Sequence, residues 1–176
     1  MASCSPRGVG PISAGRRPLL AGAAMLVLGL SNCAPPPPPP IPPTVVHVQI
    51  NTTADVNSAP GAPGAPIKLR VYQLASPDAF TGAEFYPLYN ADKVTLGPDL
   101  IKKDEMVLTP NSTKSMTLTP SDQVKTIAVF GAFAQFGTVI WRVSAEVPAH
   151  QTTTFTVTAS SAGLKLVATP GKPATP

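Results

Sequence analysis

Ile67-Lys-Leu-Arg-Val-Tyr-Gln-Leu74 alternates with a period of two. Ile67, Leu69 and Val71 point one way and Lys68 and Arg70 the other, which is the pattern of a half-buried β-strand. Upstream, Thr44-Val-Val-His-Val-Gln-Ile-Asn-Thr52 repeats it, with Val46, Val48 and Ile50 opposed to Val45, His47 and Gln49. Between the two, Ala59-Pro-Gly-Ala-Pro-Gly-Ala-Pro66 is a loop, because proline gives a ladder no donor and glycine weakens order. Downstream, strands are predicted over Glu105 to Thr109, Lys114 to Thr119 and Val124 to Phe133. Further ones are predicted over Thr138 to Val147, Thr152 to Ala159 and Gly163 to Ala168. Gly131 is expected at a bulge or a close approach. In the Thr138 to Val147 run, Val139, Trp141, Val143, Ala145 and Val147 share a face, which assigns the single tryptophan to the core. The set predicts an all-β fold, a two-layer antiparallel sandwich of about eight strands.

One segment breaks the pattern. Ser76-Pro77-Asp78 reads as a helix start, with Ser76 as N-cap and Pro77 in the first turn. Short helical pieces follow through Tyr89, placing Phe80, Phe85 and Leu88 near one face, and Asn90-Ala-Asp92 is a second cap-like start. The sandwich therefore carries a small helical insertion after its second strand.

The ends of the chain are of another kind. Arg7, Arg16 and Arg17 precede the apolar run Leu19 to Leu30, which falls well short of the ~20 residues of a membrane-spanning helix. This is an export leader; its Arg16-Arg17 pair is also what a twin-arginine signal carries. Leu30-Ser-Asn-Cys33 resembles a bacterial lipobox, with Asn32 where Gly, Ala or Ser is usual. Cys33 is then the acylated first residue of the mature chain; the alternative is plain secretion with cleavage near Ser31 and a free thiol. Pro35 to Pro43, broken only by Ile41, predicts polyproline II, a spacer of about 28 Å at ~3.1 Å per residue. The organisation is thus leader 1–32, lipidated Cys33 with spacer to 43, sandwich 44–169, and a disordered proline-rich tail 170–176.

Composition narrows the function. The chain of 176 residues has 13 basic and 9 acidic side chains, a net charge of +4, but three of the basic residues are the leader arginines. The rest is nearly neutral, with no basic stripe for nucleic acid. Once Cys4 leaves with the leader, one cysteine remains and no intramolecular disulfide can form. His47 and His150 have no carboxylate at triad or metal-ligand spacing, so no metal is expected. Asp99, Asp104 and Glu105 read as loop carboxylates without an apolar setting, and no Lys follows Gly61 and Gly64 at phosphate-loop spacing. No catalytic residue and no cofactor is expected, and binding remains. One class is a structural adaptor working through its loops. The other is a ligand-binding or carrier lipoprotein, with Phe80, Phe85, Tyr86 and Tyr89 lining a site and no small-molecule substrate to turn over.

The run Ile67 to Leu74 followed by Phe80 resembles a segment of the type VI secretion lipoprotein family TssJ, also called VasD or SciN. In order come Asn51 ahead of the glycine-containing loop, Leu96-Gly97 with Asp99-Leu100, Leu108 with Pro110, Ile127-Ala-Val-Phe130 with Ala132-Phe133, and Trp141-Arg142. The resemblance covers most of Val45 to Val167. It implies a transthyretin-like sandwich, acylation, and a position at the periplasmic face of the outer membrane. It also implies binding to the periplasmic C-terminal region of TssM, in a complex completed by TssL, through the loop joining the first two strands. Here that loop is about Ala54 to Pro66, with Asp55, Val56, Asn57, Pro60, Gly61, Pro63 and Gly64 as candidate contacts. Its prolines stiffen it in advance and so lower the entropy lost on binding.

Overall fold

The computed structural model describes residues 41–171. The leader, Cys33, the spacer before Ile41 and the tail after Gly171 lie outside the described residues.

The described chain forms β1 (Val45–Thr52), β2 (Ile67–Leu74), α1 (Asp78–Gly82), α2 (Phe85–Leu96), a 3-10 turn (Gly97–Asp99) and β3 (Leu100–Leu108). There follow β4 (Thr113–Leu118), β5 (Thr126–Gly131), β6 (Arg142–Glu146), β7 (Thr152–Ser160) and β8 (Gly163–Pro170). The strands make two four-stranded sheets, β4-β1-β7-β8 and β3-β2-β5-β6. Val46, Val48 and Ile50 of β1, Phe155 and Val157 of β7, and Ile67, Leu69 and Val71 of β2 fill the space between them. This is the sandwich that the alternating runs predict, with its small helical insertion, and it has the transthyretin-like form that the resemblance implies.

One pairing is parallel. β7 lies beside β1 in the same direction, Val45 opposite Thr152 and Thr52 opposite Ala159. The cause is the path of the chain: β6 lies in the other sheet, and the short turn 147–151 delivers β7 at the end where β1 also starts. The link is closed by Val45 N–H donating to the Gln151 carbonyl, 3.0 Å.

Most strand bounds shift by a residue or two, and three of the differences change the reading. β3 begins at Leu100, so Asp104 and Glu105 stand in a strand and not in a loop. β8 runs on to Pro170, and Gly171 N–H still donates to Thr152 O at 2.8 Å, so the sheet takes in the first residues of the expected tail. β6 begins only at Arg142, because Ile140 changes partner. Ile140 forms a parallel bridge with Gly163, accepting from Leu164 N–H at 2.6 Å, and so stitches the two sheets together at one end.

The outer face of the second sheet is not solvated. α1 and α2 lie across it and build a second core from Tyr72, Leu74, Phe80, Phe85, Leu88, Leu96 and Phe130. Arg70, read from its period as outward and polar, is therefore buried, 8 % exposed. Phe80, Phe85 and Leu88 do share the buried face. α1 starts at Asp78, with Ser76 Oγ accepting Asp78 N–H at 3.2 Å. α2 breaks at Ala91 (φ −144°, ψ 47°), where the second cap-like start was expected. Gly131 is a close approach: a Cβ there would stand 2.6 Å from the Phe133 ring. Trp141 is half-buried and belongs to both cores, edge-on to Phe85 and Phe130 at 5.3 and 5.6 Å, with the Arg142 guanidinium 4.6 Å from its ring.

Candidate functional site: the β1–β2 loop

The candidate contacts divide into those that build the loop and those that it displays. Val56 is fully buried in the sandwich core and fastens the loop to it. It is an anchor and faces no partner. Asn57 sits at φ +53°, a left-handed conformation that asparagine tolerates. Its Nδ2 donates to Pro66 O at 3.0 Å, and its Oδ1 accepts Ala134 N–H at 2.8 Å. One side chain thus closes the loop base and ties it to the β5–β6 connection. Ala65 N–H donates to Val56 O at 2.9 Å. Gly64 is required at the base, since a Cβ there would lie 2.1 Å from Ala54 O.

Asp55 is exposed, but both carboxylate oxygens are used. It accepts from the hydroxyls of Ser161 and Thr53, and these bonds hold its pKa below the ordinary carboxylate value. Its charge is partly satisfied inside the protein.

The tip is what faces solvent. Ala62 N–H donates to Ala59 O at 3.0 Å in a turn with Gly61 at φ +74°, and Pro60, Gly61 and Pro63 are exposed. Ser58 to Ala62, with Gln135 and Ser161, line a shallow cavity of about 360 Å³. Gln135, Ala134 and Ser161 were not legible as site residues, because a spacing in sequence cannot show which distant turns converge.

The loop stands at the end of the sandwich where β1 stops and β2 starts, with the β3–β4 turn, the β5–β6 connection and the β7–β8 turn. The opposite end receives the chain from the spacer. There His150 N–H donates to Thr44 Oγ1 at 2.9 Å, and its Nδ1 lies 3.1 Å from Pro42 O. His150 is thus a turn residue (φ +59°) that holds the root of the spacer, and His47 is exposed beside Thr117.

A second polar feature sits beneath α2. Asp92 is buried, accepting from Lys103 Nζ at 2.7 Å and Tyr72 OH at 3.1 Å, with Arg70 Nη1 at 3.4 Å. Arg70 Nε also donates to Glu105 at 2.7 Å, and its Nη1 donates to the Leu88 and Tyr89 carbonyls where α2 nears its kink. Burial alone would raise the Asp92 pKa; the Lys103 and Tyr72 hydrogen bonds and the two cations outweigh it and hold it low. The Arg70 hydrogen bond likewise lowers Glu105, and burial pushes the Tyr72 hydroxyl up. With every strong group matched to a partner, the cluster is a pin for the insertion and offers no acid–base pair.

Of the four aromatic residues considered for a ligand site, Phe80 and Phe85 close the second core. Tyr86 and Tyr89 are exposed; Tyr86 edges a groove with Phe136 and Trp141. Among the described residues no group of three or more His, Cys, Asp or Glu could hold a metal ion.

A family model described as type VI secretion lipoprotein (VasD, EvfM, TssJ) matches residues 44–162, most of the chain. The chain belongs to the TssJ/VasD family of type VI secretion lipoproteins. The crystal structure of the lipoprotein TssJ1 of Pseudomonas aeruginosa is 27% identical, with a TM-score of 0.70 over 74% of this chain and 100% of that one. Lip of Serratia marcescens, a membrane-bound component of its type VI secretion system, is 28% identical, with a TM-score of 0.66 over 71% and 98%. A structure described as the C-terminal domain of the type VI secretion protein TssM from EAEC contains a chain 26% identical, with a TM-score of 0.56 over 69% and 99%. No curated protein matches. As a TssJ/VasD protein this chain has a structural role in the type VI membrane complex.

Proposed function

We propose that this TssJ/VasD protein is held at the periplasmic face of the outer membrane by acyl chains on Cys33, and that its β1–β2 loop grips the periplasmic C-terminal region of TssM, in a complex that includes TssL. The observation that carries this reading is polarity. The spacer root, clamped by His150 and Thr44, enters one end of the sandwich, and the loop tip Ser58–Ala62 stands at the other. A domain tethered at one end presents its far end to whatever approaches from the periplasm. Family membership supports the lipid anchor, and the likeness to a chain in the TssM structure supports the partner. The loop is fastened at Val56, Asn57 and Gly64, so the tip is rigid before contact and little entropy is lost on binding.

The test is capture by the TssM periplasmic region. Replacing residues 58–63 with Gly and Ser at equal length, while keeping Val56, Asn57 and Gly64, removes the displayed surface and leaves the core contacts. Capture is expected to be lost with the melting temperature nearly unchanged; full capture would refute the loop assignment. For the anchor, intact mass of detergent-extracted protein is expected to show acyl chains on wild type and none on Cys33→Ser. Equal, unmodified masses would refute it.

A further inference from the structure

The two sheets are finished differently on their outer faces. That of the second sheet is covered by α1 and α2. Among the described residues no element covers that of the first, and its chemistry is unusual. Along β7, Thr152, Thr154, Thr156 and Thr158 alternate with the buried Thr153, Phe155, Val157 and Ala159. Registers place Thr154, Thr156 and Thr158 beside His47, Gln49 and Asn51 of β1, and those in turn beside Thr117, Ser115 and Thr113 of β4; Thr152 lies beside Val45. Of the Lys, Arg, Asp and Glu residues, only Lys165, beside Thr158 on the edge strand β8, takes an outward register position on this sheet. Solvated sheet faces ordinarily carry mixed charges, and those charges keep copies of a protein apart. Here that repulsion is missing over a whole four-stranded face.

We infer that this hydroxyl-bearing face is the contact between two copies of the chain, packed face to face about a two-fold axis parallel to the strands. Three observations select a second copy. First, the symmetry matches the chemistry: this axis sets β8 of one copy against β4 of the other, so Lys165 meets Thr113 and not its own equivalent, while Gln49 meets Thr156. Second, the axis keeps strand direction, so both spacer roots leave from one end and both β1–β2 loops stand at the other. Two copies can then share one membrane, a point that rests on the Cys33 reading. Third, the area is sufficient. Four strands at ~4.8 Å spacing and strands of 8 residues at ~3.3 Å give roughly 500 Å² per copy, or about 1,000 Å² in the pair. That is the lower limit for a specific contact, and confinement of both copies to a surface raises their effective concentration enough to populate it.

The test is proximity in the full-length protein in cells. Thr156 is near the axis, so Thr156→Cys treated with a short bis-maleimide is expected to give a dimer band. Val107→Cys, on the exposed edge of the other sheet, and the parent chain are expected to give none. Adding Thr154→Lys and Thr158→Lys to Thr156→Cys sets new cations against His47 of β1 and beside Lys165 of β8 and is expected to abolish the band, whereas Thr154→Val and Thr158→Val retain it; circular dichroism of each variant reports folding independently. Equal crosslinking at residues 156 and 107, or a band that survives the lysines in a folded protein, overturns the inference. Membrane fractionation of the same cells reads the anchor separately: a soluble protein that still crosslinks at 156 refutes the tether and leaves the face contact standing.

Discussion

Without the Asp92 carboxylate, Arg70 and Lys103 would be left with their charges turned toward each other under α2, and the Tyr72 hydroxyl would lose its acceptor. Breaking a buried pair in this way costs about 3–5 kcal/mol. Asp92→Ala is therefore expected to lower the melting temperature by roughly 10–20 °C at the scale of a domain this size. Asp92→Asn, which keeps an acceptor for Tyr72, should lose less; equal melting temperatures for both variants and wild type would show that the pin is idle. Phe85 can be probed through the only tryptophan. It stacks on Phe136 at 4.1 Å and meets Trp141 edge-on, so Phe85→Ala leaves a cavity costing about 3–5 kcal/mol and wets the indole. A red shift of tryptophan emission in the folded variant is the expected readout. Neither pin nor cluster could be read from spacing alone, because Arg70 and Tyr72 occupy the positions that a period of two assigns to water.

At the level of elements, the β1–β2 loop behaves as a preformed tip on a fixed base. Gly64→Ala would drive a Cβ into the Ala54 carbonyl, which is backbone and cannot turn aside. A cost of about 1–3 kcal/mol and weaker TssM capture are expected from that one methyl, measured by thermal unfolding and by pull-down. Along Ala54–Pro66 the only charged side chain is Asp55, already bonded to Ser161 and Thr53. Contact through this loop should thus rest on shape and backbone groups, and its affinity should change little between 50 and 500 mM salt, where charge-steered contacts weaken. A steep salt dependence measured by calorimetry would shift the contact to other, charged parts of the surface. The Pro-Gly-Ala repeat did disclose that this segment is a loop. It did not disclose that Val56 is sunk in the core, since one valine between Asp55 and Asn57 has no period to be read by.

For the whole molecule, acid is the informative perturbant. Asp92 and Glu105 are held below their ordinary pKa values by their cationic partners. Their contribution is present above the unfolded carboxylate pKa near 4 and is lost as pH falls through the lower folded values. The melting temperature should be flat from about pH 7 to 5 and decline below about 4. In Asp92→Asn that acid limb should be shallower, and a limb identical to wild type would assign acid lability to other groups. The alternation of Val46, Val48 and Ile50, and of Ile67, Leu69 and Val71, determined by itself that this is a β-sandwich: a side chain's face follows from its parity along a strand, and parity is local. The sequence likewise determined the order of leader, cysteine, spacer and domain as an expectation, through runs of contiguous residues. Tertiary structure alone decided that β7 runs parallel to β1, that Arg70 is buried beneath α2, that Ile140 stitches the sheets, and that Asn57 meets Ala134. Each of these depends on which distant segments arrive at the same place, and the free energy of such contacts belongs to the pair and is written in neither segment.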